Sequence, residues 1–198
     1  MSPAPARRPT GMGTLRYTAN MSADGYTVDA EGSFDWAQPT DELHGFINEN
    51  ESDVAVYVHG RRMYETMVYW ETHDPGPDPN PYTDRYAQIW QGVDKIVASS
   101  SLPQDAVTSA RTRLVRDLQP GELRRIVNCA PGVVSIGGPT VAAPFIRQGL
   151  VDDFRFVVYP EVVGGGLPAL PPDARLRLRL VDSRTFDSGC VYLRYAPR

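Results

Sequence analysis

The stretch GSFDWAQPTDELHGF, Gly32 to Phe46, sets Trp36 five residues before Asp41, with Pro39 between them, where an apolar spacing of helical type begins at Leu43, Phe46 and Ile47. A carboxyl group beside an indole ring is a candidate proton donor. Partial burial raises its pKa, and the positive end of a helix pulls the other way. Acidic residues are also ordinary in the first turn of a helix, so the pattern leaves both readings of Asp41 open. Asp24, in the stretch SADG, is a second candidate acid and an equally good turn residue. Tyr26, Phe34 and Trp36 lie close by in sequence and offer a flat apolar surface to a planar ligand.

A different chemistry is written at three other places. In VYVHGRRMYE an apolar run stops at Gly60 and passes into Arg61 and Arg62; in VSIGGPT another stops at Gly137 and Gly138 before Pro139 and Thr140; VASSS ends in hydroxyls, Ser99 and Ser100 among them. Strands that feed helices through glycine offer free N–H groups and a partial positive charge to a phosphate. Each junction alone is a weak signal, because glycine at such a turn is often only a turn. Their recurrence at successive strand ends points to one extended anionic ligand, such as a dinucleotide.

The elements that must position these residues follow from periodicity. Leu15, Tyr17 and Ala19 alternate with Arg16, Thr18 and Asn20, as in a strand. Val54–Val58 reads as a buried strand, RRMYETMVYW as a helix, residues 73–82 as a proline-rich loop and DRYAQIWQGV as a short helix. KIVASS and TRLVR are further strands, Gly121–Cys129 is a helix, and GVVSIGG is a buried strand. PTVAAPFIRQGL opens a helix that Pro144 should strain. DDFRFVVYPEVV, LRLRLVDSRTF and CVYLRYA then follow without helices between them, as an antiparallel edge to the sheet would. The alternating RLRLRL fits a half-solvated strand better than a nucleic-acid strip, because the net charge is −4.

These readings give an α/β protein with an arm at residues 1–13 and one domain over 14–198. The two cysteines form no CxxC pair, and the three histidines lack metal-ligand spacing, so no metal site is expected. No apolar run approaches a membrane span, and the N-terminal MSPAPARRPTGMG lacks a signal-type apolar segment. The expectation is a cytoplasmic protein without membrane or nucleic-acid partners.

The motifs carry a family resemblance. GRRMYE, SIGGPT and WAQPTD resemble segments of dihydrofolate reductases. The MSADG, FDW, GRRMYE, GGPT and GLVD stretches and the later PEVVGGG, in that order, are more similar still to bacterial proteins related to the reductase domain of riboflavin biosynthesis. The resemblance runs from about Leu15 to Tyr195. It implies a three-layer α/β/α sandwich of dihydrofolate reductase-like fold, with a mainly parallel central sheet and antiparallel C-terminal strands. It also implies NADPH as cofactor, hydride transfer to a pterin-like or other small unsaturated substrate, and a homodimer.

By the same resemblance Gly60, Arg61, Arg62 and Met63 face the cofactor phosphates, Ser99 and Ser100 the adenine ribose, and Gly137, Gly138, Pro139 and Thr140 the pyrophosphate and nicotinamide. It further implies a cis peptide, and so strain, at Gly137–Gly138, and it makes Asp41 or Asp24 the acid. Met63 replaces the usual threonine of the folate enzymes, and Ser100 replaces an arginine common in the riboflavin-type relatives. Tyr26-Thr27-Val28 stands where those relatives carry a lysine, which argues against a phosphorylated ribityl substrate. The alternative is a ligand-binding protein on the same fold without efficient catalysis.

Overall fold

The structure, a computed structural model, describes residues 13–77 and 79–198. The expected arm therefore falls, but for Gly13, outside the described residues. The chain runs β1 (Leu15–Ser22), β2 (Tyr26–Val28), α1 (Asp41–Glu51), β3 (Val54–Gly60), α2 (Arg61–Met67), α3 (Pro81–Gly92), β4 (Asp94–Ala98), β5 (Thr112–Val115), α4 (Pro120–Cys129), β6 (Val133–Gly137), α5 (Pro139–Arg147), β7 (Asp153–Tyr159), β8 (Leu167–Pro168), β9 (Leu178–Thr185) and β10 (Val191–Pro197). Eight strands form one sheet in the order β5-β4-β3-β6-β1-β7-β10-β9, and β2 pairs with β8 in a separate ribbon. Every pairing from β5 to β7 is parallel; β10 is antiparallel to both β7 and β9. The antiparallel edge is thus made by β10 alone, which turns against its neighbours on both sides.

Helices cover both faces, as a mostly parallel sheet requires. On one face Leu123 and Val127 of α4 and Phe145 and Ile146 of α5 pack on Leu15, Tyr17, Val58, Ile136 and Phe154. On the other, Tyr64 of α2 and Trp90 of α3 pack on Tyr57 and Val97, while Leu43 of α1 packs on Val157, Tyr159 and Tyr192. Pro144 lies inside α5 without ending it. An interior proline costs about 3 kcal/mol. Burying Phe145 and Ile146, both almost fully covered, returns about 1.5–3 kcal/mol each.

Two features that the sequence reading did not supply matter for the site. Helix α3 begins at Pro81, earlier than the apolar spacing indicates, because Asn80 caps it by accepting from Tyr82 N and Thr83 N. And the polar side of the alternation in β1 does not face water: Arg16 is 1% exposed. Strand β1 lies between β6 and β7, so its second face is covered too, and its polar residues must be paired inside the protein.

Candidate functional site

Sheet register brings that polar face together. Tyr57, Ser135, Arg16 and Asp153 lie in one row across four strands, and His59, Gly137, Thr18, Arg155 and Arg194 in the next row. The opposite face at the same level carries Val58, Ile136, Tyr17 and Phe154, all in the apolar core. A cavity of about 1330 Å³ opens above the polar face. Gly60, Arg61, Arg62, Met63, Ser99, Ser100, Gly137, Gly138, Pro139 and Thr140 all line it. Three junctions separated by as many as 80 positions in the chain thus converge on one space, at the carboxyl ends of β3, β4 and β6.

The helix starts around this space differ from those elsewhere. Helix α1 is capped by Thr40, which accepts from Leu43 N, and carries Asp41 and Glu42 in its first turn; α3 is capped by Asn80 and carries Asp84. Helices α2 and α5 begin at Gly60 and Gly138 with no side-chain cap and no acidic residue in the first turn, whereas α4, which also lacks a side-chain cap, carries Glu122 there. A missing cap typically costs a helix about 1 kcal/mol. Here it leaves the N–H groups of Thr140 and Val141, beyond the imino nitrogen of Pro139, for an anion. Arg62 has no side-chain partner among the described residues, whereas Arg61 pairs with Glu65 at 2.8 Å on the surface.

The paired glycines serve two purposes. Gly138 has φ 92°, a backbone region that L side chains rarely adopt. A Cβ on Gly137 would stand 3.1 Å from the His59 ring and 3.4 Å from the Met63 methyl, so its absence seats those side chains. No cis peptide occurs among the described residues, so the cis linkage implied at Gly137–Gly138 is not found. Ser99 Oγ accepts from Ser101 N and Leu102 N, which commits it to its own turn and leaves Ser100 as the exposed hydroxyl of that pair.

The expected acids are placed otherwise. Asp41 and Asp24 are not among the residues lining the cavity. Asp41 is exposed, and its carboxylate accepts from Asn80 Nδ2 at 3.1 Å, so it serves the starts of two helices. Asp24 accepts from Ser22 Oγ at 2.6 Å and from Val163 N and Gly164 N, tying the β1–β2 turn to the later glycine loop. These bonds, the serine's first, hold its carboxyl below the usual range. Of the apolar candidates Phe34 lines the cavity; Trp36 packs edge-on against Tyr159, and neither it nor Tyr26 lines the space. Thr27 and Val28, next to Tyr26, do line it from the β2–β8 ribbon.

The structure adds residues that the sequence reading missed. Thr18, the strand neighbour of Gly137, lines the cavity beside that junction, and at the other end the lining includes Phe46, Asn50, Glu51, Tyr57, Tyr86, Arg155 and Tyr192. Asp153 accepts from Arg16, Arg155 and Arg194, and Arg16 also makes a two-pronged pair with Asp53 at 2.7 and 2.9 Å. Asn50 Oδ1 accepts from Arg155 at 2.6 Å, and its carbonyl accepts from Arg16 at 2.8 Å, which anchors the last turn of α1. Burial pushes the Glu51 carboxyl up, against the pull of Arg16, the Tyr57 hydroxyl and Arg155. Burial, with Lys95 second, lowers His59 to about 3, so this ring is neutral across the physiological range. The signal was present: charged residues alternating with aromatics in DFRF and with apolar residues in LRYT, in strands that end up central, mark a buried polar cluster.

A family model for the RibD C-terminal domain matches residues 13–192. The chain belongs to that family. The uncharacterized protein YyaP of Bacillus subtilis (strain 168) is 26% identical over 180 residues, which cover 88% of this chain and 90% of that one. The riboflavin biosynthesis protein RibD of Mycobacterium tuberculosis is 25% identical over 81% of this chain but only 46% of its own length, so the chain spans about half of that relative. The fold is shared with dihydrofolate reductase from Enterococcus faecalis, solved with NADP(H): the TM-score is 0.62 at 19% identity, covering 94% of this chain and 98% of that one. The dihydrofolate reductase-like, three-layer α/β/α reading of the sequence is the fold observed. Among the described residues no helix is long and apolar enough to cross a membrane.

Proposed function

We propose that this protein is an NADPH-dependent reductase of a small unsaturated substrate. The observation that carries the reading is the convergence of all ten strand-end residues, with two uncapped helix starts, on one cavity. The RibD C-terminal family and the dihydrofolate reductase fold support an oxidoreductase. The donor set fits a dinucleotide. Free N–H groups at the start of α5 suit a pyrophosphate, Arg62 suits a further phosphate, and the orphaned Thr18 Oγ1 on the cavity wall leaves a polar atom for a ligand to complete. Such a cofactor supplies a hydride to a C=N or C=O carbon when bound. This chain's residues hold it across the strand ends and leave the Glu51 side of the cavity for the substrate.

Among the described residues no lysine lines the cavity, and the one arginine at the substrate end, Arg155, is engaged with Asp153 and Asn50. That favours a substrate without a phosphate, flanked by Phe34, Phe46 and Tyr192. The exposed edge strand β9, with Leu180 and Val181 open to solvent, is the surface this reading gives to self-association.

The test is a fluorescence titration with NADPH and, separately, NADH. Trp90 reports on the site because its ring stacks on His59, which lines the cavity. Saturable quenching, tighter for NADPH, is expected. Absence of binding of either, checked by calorimetry, refutes the reading. Binding without turnover of any dihydropterin or carbonyl probe would favour a ligand-binding protein on the same fold.

A further inference from the structure

Among the described residues two carboxylates line the cavity, Glu51 and Glu65. Glu65 is exposed and paired with Arg61; Glu51, the last residue of α1, is only 6% exposed. The groups facing Glu51 come from five parts of the chain: Arg16 of β1, Asp53 just after α1, Arg155 of β7, and the phenols Tyr57 of β3 and Tyr86 of α3. The two guanidinium groups do not close on it. Arg16 is taken up by Asp53, Asp153 and the Asn50 carbonyl, and Arg155 by Asp153 and Asn50. The buried Tyr57 hydroxyl lies between the Glu51 carboxyl and the Tyr86 hydroxyl, and Thr18 Oγ1 on the cavity wall has no partner. A buried polar group left this way costs about 1–3 kcal/mol, which a ligand in the cavity would relieve.

We propose that Glu51 is the group that meets the acceptor atom of the substrate, a carbonyl oxygen or imine nitrogen on a planar molecule, and passes its proton to that atom as the double bond is reduced. The inference rests on the reductase reading above. The two ends of α1 explain why the acid belongs at this end. Asp41 stands at the positive end of the helix, exposed, where a charged carboxylate is stabilising. Glu51 stands at the negative end, buried, where the neutral acid is favoured. The direction of its pKa, upward by burial, agrees.

In the step, the π bond of C=O or C=N breaks. A hydride from the reduced nicotinamide dinucleotide forms the C–H bond, and the proton from Glu51 Oε forms the O–H or N–H bond. The carboxylate left behind sits near Arg16 and Arg155 and regains a proton from water entering the cavity. The Tyr57 hydroxyl, beside Glu51, is placed to orient it.

The proposal is tested by thermal melts of the wild type and Glu51→Gln between about pH 5 and pH 8, alongside NADPH titration of both. The folded state raises the pKa of Glu51, so it keeps a proton that the unfolded chain releases. Stability from this group is full below the ordinary carboxylate range and declines as pH rises toward the raised value. Glu51→Gln removes that decline. At about pH 8 its melting temperature should equal or exceed that of the wild type, with the advantage shrinking toward about pH 5 and NADPH affinity unchanged within about twofold.

A variant less stable by the same amount at every pH would make Glu51 an ionised partner of Arg16 and overturn the proposal. Should the variant not fold, a ¹³C titration of glutamate carboxyls in the wild type decides: all carboxyls in the ordinary range overturns it. Failure of both proteins to bind NADPH, with the pH behaviour as expected, refutes the reductase reading instead. An ordinary Glu51 in a protein that binds NADPH refutes only this inference.

Discussion

The two ends of the cavity are built by different means. The glycine-junction end is largely backbone: Gly60, Gly137 and Gly138 at strand ends, and two helix starts without side-chain caps. The Glu51 end is side chains from separated elements: Asn50 and Glu51 of α1, Tyr57 of β3, Tyr86 of α3, Arg155 of β7 and Tyr192 of β10. Backbone recognition needs particular residue types at one local turn, so it is conspicuous in sequence. Side-chain recognition needs only that distant strands fall into register, and a local pattern such as DFRF carries a signal only once its strand is known to be central. This division explains which half of the cavity was visible before the fold was known.

The largest effect should come from the side-chain end. Glu51→Gln is expected to slow turnover of any dihydropterin or carbonyl probe about 100-fold or more, with NADPH affinity kept, as loss of a general acid does. Steady-state kinetics beside a binding titration checks this, and a loss in affinity with turnover kept would erase the distinction between the two ends. Next comes the backbone end. Gly138→Val puts a side chain at φ 92° and should weaken NADPH about tenfold or more, because left-handed backbone costs an L residue about 1–2 kcal/mol and shifts the start of α5. Calorimetry would show it, and unchanged affinity would remove the junction from the cofactor site.

Arg62→Ala should lower NADPH affinity severalfold and narrow its margin over NADH, an effect that added salt reduces because the side chain is exposed. Equal losses for both cofactors at all salt concentrations would contradict it. Smallest is Asp41→Asn. It should leave NADPH affinity and turnover unchanged and cost at most about 1 kcal/mol of stability at the start of α1, measured by denaturant melts. A turnover loss like that of Glu51→Gln would return the catalytic role to the first turn.

Much of the fold was legible. The start of α1 at Asp41, the stop of β3 at Gly60 and the run from β6 into α5 follow from caps, glycines and periodicity. The start of α3 did not, since Asn80 lies in a proline-rich run where loop chemistry and capping chemistry use the same residue types. In the site, the tryptophan-to-aspartate spacing drew attention to Asp41, yet Asp41 is exposed on Asn80 and outside the cavity. The alternation in β1 was correct as a strand and silent about its neighbours. Only the sheet order, with β1 between β6 and β7, turns Arg16 and Thr18 from surface residues into part of a buried polar face. Long-range strand order is decided by packing of the whole chain, and a window of ten residues does not contain it.

The most direct test of the account is a map of backbone amide shifts in ¹⁵N-labelled protein on addition of NADPH. The account predicts that the amides of Gly60, Met63, Ser100, Gly138 and Thr140 shift together with one saturating dependence, while those of Asp41 and Asp24 stay in place. Shifts centred on Asp41 or Asp24, or scattered without saturation, would contradict it.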